Sequence, residues 1–306
     1  MATHDINTAT TLIAPAARRG FFLTGIAPSS RWYWVRVLVT DKGTLASAIF
    51  LLIVVALALA APIISPYSAY LVDPIHRLKG PSAAHWFGTD DLGRDVLTRA
   101  LYGARVSLLV GVTVMLLAAF FGSVIGLVAG YYPRLDTPVM RVMDGLMAFP
   151  SILLAIAIMA SLGPKTINVI IALSIVFIPH LARLVRGLAL SISALPYIES
   201  ARAIGLPDVY ILRRYIFVNA LSPIIVQCTF TMAYAVLAEA SLSFLGAGVP
   251  PETPTWGNML QDGQRLITRA WWLSVFPGIA LFLTVLTLTL LGDGLRDALD
   301  PRSRER

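Results

Sequence analysis

The chain has 306 residues, of which 57% are hydrophobic and 13% are charged, and its mean hydropathy is +0.76. A soluble domain carries about a quarter of charged residues, so this composition predicts a membrane protein with several spans. The net charge is +7, but the basic residues flank apolar runs instead of forming one continuous patch. This distribution fits control of membrane topology and argues against nucleic-acid binding.

Residues 1–44 are polar, basic and partly aromatic, and they predict a cytoplasmic tail whose later part is amphipathic and lies on membrane lipid. The first apolar run begins near Leu45 and is 20 residues long. Because a cleavable signal peptide has a shorter apolar region, we predict that the tail is not one.

Six apolar runs are long enough to cross ~30 Å of hydrocarbon, which takes about 20 helical residues. They are Leu45 to Ile64, Val106 to Ala129, Gly145 to Leu162, Thr166 to Leu188, Tyr215 to Ala238 and Trp271 to Leu291. The sequence therefore predicts an all-α polytopic fold. Its parts are the tail (1–44), the first span with an extracytoplasmic loop (45–103), a core of five helices (104–295) and a cytoplasmic C-terminal tail (296–306).

Basic residues set the predicted orientation. With the N-terminus inside, about two-thirds of the 24 Lys and Arg residues fall on the cytoplasmic side, so both termini are predicted to be cytoplasmic. Arg183 and Arg186 lie in the last third of the fourth run. We expect them to extend toward the cytoplasm.

Proline and glycine fall inside several runs. Interruptions are predicted at Pro150, Pro179, Pro223 and Pro277. Such breaks survive where neighbouring helices or a wet cavity satisfy the freed backbone groups, so they indicate a close-packed bundle around a central path. Gly122, Gly126 and Gly130 lie four residues apart, on one face of the second run. We interpret this face as a helix-packing surface rather than a pore lining.

A polar island, YIESARAIGLPDVYILRRYIFVN, separates the fourth and fifth runs and must lie in water. It predicts a short helix with Ile198, Ala201 and Ile204 on one side and Glu199 and Arg202 on another. Gly205 is predicted to end this helix in the left-handed conformation, with a proline two residues beyond it. Periodicity alone is equally compatible with an ordinary cytoplasmic loop.

Two outward loops contain the stretches HWFGTDDLGRDVLTRALYGARVSL and GAGVPPETPTWGNML. Their Pro, Gly, Asp and Thr content predicts ordered turns with short helices. Asp90 or Asp91 is expected to cap a helix that runs through Arg94 to Arg105.

No motif for chemistry is present. The chain has no Gly-Lys dipeptide and hence no P-loop, so any ATP must be hydrolysed by another subunit. Cys228 lies in an apolar run and is expected to be a small buried hydrophobe. The histidines lack metal-ligand spacing; for His180, in a span, we favour a packing role, with a substrate role as the alternative.

The middle of every span lacks Asp, Glu, Lys and Arg, and charges such as Glu239 and Asp144 fall near the ends. Carriers coupled to protons or sodium commonly need an ionisable or ion-coordinating group near the midplane. The pattern therefore argues against an ion-coupled carrier or channel, which is the alternative from another class.

The polar island resembles a known signature. Its spacing Glu-x-Ala-x3-Gly, followed by YIFVN, is similar to the EAA signature of membrane subunits of binding-protein-dependent ABC importers. Ser200 stands where the family has the first of two alanines, and Val218 stands where the peptide-importer form usually has Pro. The stretches HWFGTDDLGRDVLTRALYGARVSLLVG, MRVMDGLMAFPSILLAIAI, EASLSFLGAGVPPETPTWGNML and FPGIALFLTVLTLTLLGDGLRDALDPR also resemble the C-type permease subunit of peptide ABC importers. The likeness covers roughly residues 31–302.

The resemblance implies a type I importer permease fold with a coupling helix near residues 197–206. Its ATPase-coupling residues would be Ile198, Glu199, Ser200, Ala201, Arg202, Ala203, Ile204 and Gly205. Glu199 would orient the docking helix, Ala201 and Ala203 would permit close approach, and Gly205 would form the exit turn. Because the second outer loop directly follows the fifth run, we also hypothesise that it contacts the binding protein or shapes an outer gate, through Pro250, Pro251, Thr253, Pro254 and Trp256.

The resemblance also implies the partners. They are a second related permease, two cytoplasmic ATPase subunits that hold ATP and Mg, an extracytoplasmic substrate-binding protein, and a peptide cargo. This chain would then be a transport subunit without catalytic residues, metal or cofactor of its own. The family also handles glutathione and nickel complexes, and no residue distinguishes these cargoes.

Overall fold

The computed structural model describes residues 41–299, which fold into helices and connecting turns. The helices are α1 (Lys42–Ile64), α2 (Val96–Tyr131), α3 (Pro133–Met147), α4 (Ser151–Leu162), α5 (Thr166–Ser193), α6 (Pro196–Ala203), α7 (Asp208–Phe244), α8 (Trp256–Gln264) and α9 (Trp272–Leu299). Between residues 41 and 299 there is no β-strand, only an isolated bridge between Thr89 and Asp95. The all-α prediction is confirmed. The predicted interfacial segment of the N-terminal tail lies outside the described residues, apart from the first turn of α1.

Five helices, α1, α2, α5, α7 and α9, are long and apolar enough to cross a membrane. A sixth crossing exists only if α3 and α4 are counted together, and these two meet at 90°. The predicted span from Gly145 to Leu162 is therefore not one continuous helix. Its apolar part, α4, has 12 residues and is about 18 Å long, too short for a bilayer core.

Pro150 explains this bend. It precedes the first residue of α4, and its ring disfavours helical geometry at Phe149. The other three prolines behave differently, because α5, α7 and α9 continue through Pro179, Pro223 and Pro277. The predicted interruptions at those positions are wrong, since neighbouring groups in a helix bundle can compensate the backbone bond that a proline removes. The irregular segment in α7 is instead a π-helical turn at Ile211–Phe217, which the sequence did not indicate.

Helices α2 and α5 pack closely against each other along three glycines. A Cβ added at Gly122 would lie 2.8 Å from the Leu181 Cβ, and one at Gly130 would lie 2.7 Å from the Ala189 Cβ. At Gly126 the nearest atom would be the Ala182 carbonyl oxygen, at 2.5 Å. Only glycine permits this approach, so the predicted helix-packing role of the glycine face is confirmed.

The two arginines of α5 are paired within the chain. Arg186 donates from two guanidinium nitrogens to the two carboxylate oxygens of Asp136. Arg183 donates to Asp144. Both aspartates belong to α3. The arginines, which we expected to extend to the membrane surface, thus hold α3 against α5 through charge-assisted bonds.

The first outer loop is folded onto the start of α2. Asp95 caps this helix by accepting hydrogen bonds from the Thr98 backbone N–H at 2.8 Å and from the Thr98 hydroxyl at 2.7 Å. The predicted cap at Asp90 or Asp91 is wrong. Gly93, with φ of 79°, turns the chain between Asp90 and Asp95, so only Asp95 lies next to the free N–H groups of the first turn.

The boundaries predicted from the sequence fall inside helices. Helix α2 begins at Val96, before the predicted division at residues 103 and 104, and α9 continues to Leu299, beyond the predicted start of the C-terminal tail at residue 296. The apolar runs underestimate the length of these helices, because polar turns at the start or end of a long helix lie beyond its apolar run.

Candidate functional site

Helix α6 is a short polar helix between α5 and α7. Pro196 occupies its first position, where the missing N–H costs nothing. At the other end the Gly205 N–H donates to the Arg202 carbonyl at 3.0 Å and the Leu206 N–H donates to the Ala201 carbonyl at 3.1 Å. With φ of 79° at Gly205, this is a Schellman motif, and the predicted left-handed terminator is confirmed.

One face of α6 is anchored in the bundle. Ile198 is completely buried and Ala201 nearly so. They pack in one apolar cluster with Tyr131, at the end of α2, and with Ile211 and Ile216, in the first turns of α7. A displacement of α6 is therefore transmitted to the ends of two long helices.

Polar contacts add to this anchor. The Arg202 guanidinium lies over the Tyr131 ring, 4.8 Å from its centre, a cation–π arrangement. The Tyr131 hydroxyl donates to one oxygen of Asp208 at 2.7 Å and the Tyr132 hydroxyl donates to the other at 3.2 Å. Asp208 is the first residue of α7, so these bonds join α2 to the start of α7.

The other face of α6 is exposed. It comprises Glu199, Ser200, Arg202, Ala203, Ile204 and Gly205. The three residues of the predicted apolar side do not lie together. Helix α6 ends at Ala203, and Ile204 turns outward with 77% of its surface exposed. Of the two alanines expected at a docking surface, only Ala203 lies there, because Ala201 is buried within this chain.

The second outer loop is held by a single amide. The two N–H groups of the Asn258 side chain are shared among three backbone carbonyls, those of Val249, Pro250 and Thr253, at 3.0 to 3.3 Å from the nitrogen. Thr255 caps α8. Sequence reasoning missed Asn258, although asparagine side chains commonly bond to the backbone of nearby turns.

The residues expected at the outer gate differ in how deeply they are buried. Pro254 and Trp256 are buried, and the Trp256 indole N–H donates to the Ala100 carbonyl at 3.1 Å. Pro250 and Thr253 are half-buried, and Pro251 is exposed. Trp256 therefore anchors the loop on α2, and the surface available to a partner is centred on Pro251.

Glu239 forms a polar junction that sequence reasoning missed. It lies within α7, five residues before its end, and is wholly buried. Its carboxylate accepts from the Ser107 hydroxyl at 2.7 Å and the Ser243 hydroxyl at 2.8 Å. The sequence signal for this junction is one acidic residue in an apolar run, followed by a serine four residues later. The arrangement joins α2 to α7.

A cluster of charges fastens the two outer loops together. Arg94 donates to Asp90 at 2.6 Å. Guanidinium nitrogens of Arg94 and Arg99 both lie 3.9 Å from one oxygen of Asp262, on α8. Burial raises the pKa of the Asp262 carboxyl, although the positive charge of Arg99 opposes this shift.

The remaining candidates, Cys228 and His180, pack within the bundle. Across residues 41–299 no group of three or more His, Cys, Asp or Glu residues could hold a metal ion. Cys228 is half-buried and packs against the apolar cluster of Ile224. In α5 the His180 Nδ1 donates to the Val176 carbonyl at 3.2 Å, and the ring lies beside Phe177.

Comparison with known families identifies this arrangement. Residues 122–305 match the family described as binding-protein-dependent transport system inner membrane component. Residues 30–81 match the N-terminal TM domain of oligopeptide transport permease C. The chain belongs to the binding-protein-dependent permease family. The permease is therefore a multi-pass inner-membrane subunit of an ABC importer, and the family resemblance expected from the sequence is confirmed.

Curated relatives cover nearly the whole permease. A putative peptide transport system permease protein of Brucella abortus is 46% identical over 287 residues, which is 94% of this chain and 97% of the relative. The dipeptide transport system permease protein of Alkalihalophilus pseudofirmus is 45% identical over 86% of this chain and 87% of its own length. The glutathione transport system permease protein of Pectobacterium atrosepticum is 44% identical over 89% and 91%.

A solved structure supports the fold. The permease matches the crystal structure of an amino acid ABC transporter with histidines, with a TM-score of 0.51 and 16% sequence identity. The match covers 65% of the permease and 92% of that chain. It confirms the expected type I permease fold. The family does not support the alternative of an ion-coupled carrier or channel.

Proposed function

We propose that the permease forms half of the path of an ATP-driven importer for di- or oligopeptides. Relatives named for peptide and dipeptide transport, 46% and 45% identical, support this cargo. Glutathione, itself a peptide, is a second candidate because a relative 44% identical is named for its transport. The extracytoplasmic binding protein selects the cargo, and a second related permease encloses the other half of the path.

The observation that carries the mechanism is the two-faced geometry of α6. Its buried face is fixed to α2 and α7 through Ile198 and Ala201, and its other face is free. One of two cytoplasmic ATPase subunits docks on the free face. ATP and Mg bind to these partners, and closure of the ATPase pair moves α6 with the helices attached to it as a rigid body.

Docking on a cytoplasmic ATPase fixes the orientation. The end of the bundle that carries α6 faces the cytoplasm, and both termini lie on that side, in agreement with the distribution of Lys and Arg. The loop centred on Pro251 then faces the binding protein. Its attachment to α2 through Trp256 gives that partner a rigid surface.

The docking role is tested with two matched surface variants in the complete importer. Ile204→Ser removes an apolar side chain from the free face of α6, and Ile75→Ser removes one of similar exposure from the opposite end of the bundle, at 82%. Full burial of an isoleucine at an interface stabilises it by about 1.5–3 kcal/mol, a factor of roughly 10 or more in affinity.

We expect Ile204→Ser to reduce both the ATPase that co-purifies with the permease and ATP-driven dipeptide uptake. Ile75→Ser should leave both at wild-type values. Equal ATPase retention by the two variants would contradict the proposed docking site. Uptake of glutathione but not of dipeptides by the wild-type complex would favour the second cargo.

A further inference from the structure

Six polar side chains of α7 lie along one broad side of the helix. They are Asn219, Ser222, Gln227, Thr231, Tyr234 and Ser241. Their spacing fits a single side of a helix with 3.6 residues per turn. The structure places this side against two neighbouring cavities that share Gln227 in their linings.

The first cavity is an open pocket between α4, α5 and α7 and has a volume of about 340 Å³. Its polar lining consists of Ser151, His180, Gln227, Thr231, Tyr234 and Ser241. Ser151 begins α4 at the bend that Pro150 creates. The bend therefore opens the space in which these groups meet.

The second cavity lies nearer the end of the bundle that carries α6 and has a volume of about 730 Å³. Asn219, Ser222, Gln227 and Arg296 supply polar groups to its lining. Gln227 lines both cavities, and Leu184 in the second lies one helical turn beyond His180 in the first. We name the two cavities together the α7 groove. Each volume is in the range of about 300–1,000 Å³ that is typical of small-molecule sites.

Several groups in the α7 groove have unused hydrogen-bonding capacity. Among residues 41–299, the Gln227 amide and the Tyr234 hydroxyl have no hydrogen-bond partner. The Val176 carbonyl can only accept, so the His180 Nδ1 carries a proton in that contact and the Nε2 remains available. Polar groups of this kind are costly to bury against lipid or an apolar helix. Their environment in the working protein is therefore water or a polar solute.

We propose that the α7 groove is the part of the translocation path contributed by this permease and that it binds short peptides through their backbone amides. This inference rests on the proposed function. Amide and hydroxyl groups match a peptide bond, which has one donor and one acceptor. No Asp or Glu lines either cavity, and Arg296 lies toward the α6 end, so the carboxylate end of a peptide meets no repulsion.

Most polar groups of the α7 groove are neutral, and this suits a translocation path. A transported solute must bind well enough to enter and weakly enough to leave. Neutral hydrogen bonds provide this weaker contact, because bonds to ionised groups are about twice as strong. Gln227 lines both cavities and is therefore placed to contact a peptide in either of them.

Transport by the complete importer tests the lining role. Gln227→Leu keeps the approximate size and removes the amide. His180→Asn keeps a donor at the position of the Nδ1 and removes the Nε2. Thr229→Val is the matched control, because Thr229 lies on α7, lines neither cavity, and donates only to the Ile225 carbonyl.

We expect Gln227→Leu to lower tripeptide uptake about fivefold or more, the effect of losing one hydrogen bond. His180→Asn should also lower uptake. Complex assembly and ATPase activity stimulated by the binding protein should stay within about twofold of wild type, since neither group contacts α6. Thr229→Val should match wild type in all three measurements. Wild-type uptake by Gln227→Leu would overturn the proposal.

Thiol labelling provides a readout that does not depend on transport. In the Cys228→Ser background, Gln227→Cys and Thr229→Cys are exposed to a membrane-impermeant reagent in the assembled importer. Labelling of Gln227→Cys alone is expected. If Gln227→Cys resists the reagent and instead crosslinks to the second permease, the groove is a subunit interface and the inference is overturned.

The labelling result and the uptake result together distinguish a failure of this inference from a failure of the proposed function. If wild-type complex imports peptide but Gln227→Cys is not labelled, only the inference fails. If Gln227→Cys is labelled and the wild-type complex imports no peptide, the peptide-import function fails and the aqueous path remains.

Discussion

At the residue scale, single backbone and charge positions define the candidate coupling segment and the outer loops. Gly205 supplies the left-handed turn that returns the chain from α6 to α7. Its Cβ would meet no atom within 4 Å, so the requirement for glycine is conformational and not steric. Gly187, inside α5, has equally open surroundings and no left-handed φ.

These two glycines form a matched pair. Gly205→Ala should destabilise the end of α6 by about 1–2 kcal/mol, because a side chain is strained in the left-handed region. Gly187→Ala should be neutral or stabilising by up to about 1 kcal/mol, as expected in a helix interior. Thermal unfolding of the purified complex and limited proteolysis at α6 measure the difference. Equal behaviour of the two variants would contradict the conformational argument.

Asp262 gives the outer charge cluster a pH dependence. Because burial raises the pKa of this carboxyl above 3.8 in the folded protein, ionisation costs stability as the pH rises through that range. Asp262→Asn should therefore unfold at a higher temperature than wild type at pH 7, and the advantage should shrink as the pH is lowered toward 4. A less stable Asp262→Asn at pH 7 would mean that attraction by Arg94 and Arg99 outweighs burial.

At the element scale, pairs of helices are joined in two different ways. Helices α2 and α5 approach through the glycine face, where contact between backbones replaces large side chains. Helices α2 and α7 are joined by the bond from Ser107 to Glu239, whose other carboxylate oxygen accepts from Ser243 within α7. Inside a bundle with few polar groups, the second type of contact fixes the register of the two helices.

We predict that substitutions of Glu239 lower the stability of the permease by different amounts. Glu239→Leu should lower stability by about 1–3 kcal/mol, because two buried hydroxyls lose their acceptor. Glu239→Gln retains a carbonyl oxygen and should lose less. Both variants should keep ATP-dependent uptake per assembled complex, since the residue has a structural role. Loss of uptake by Glu239→Gln in a fully assembled complex would indicate a direct role in transport.

At the scale of the whole molecule, α6 is positioned to move several helices together. It packs against the end of α2 and the start of α7, and α2 is bound in turn to α5 along the glycine face. The α7 groove lies beside the same helices. A movement imposed on α6 by an ATPase therefore changes the walls of the proposed path.

This arrangement predicts that the permease does not transport alone. Reconstituted by itself it should move no peptide across vesicles, since the chain has no P-loop and contributes only one wall of the path. Addition of the second permease, the ATPase subunits, the binding protein and ATP should restore uptake. Solute movement by the isolated chain would contradict the importer mechanism.

The sequence by itself determined the helical membrane class, five of the spans, the glycine face and the turn at Gly205. These features depend on apolar run length, residue size and local backbone preference, which are properties of contiguous residues. The family resemblance of the polar island was also visible before the structure was known.

Only the tertiary structure decided which side of each element is free. It showed that Ala201 is buried and Ile204 is exposed, that Asp95 and not Asp90 caps α2, and that the third apolar run is bent at Pro150. It also brought His180 and Gln227, 47 positions apart, to one cavity. Such outcomes depend on contacts between residues distant in the chain, and neither periodicity nor composition records those contacts.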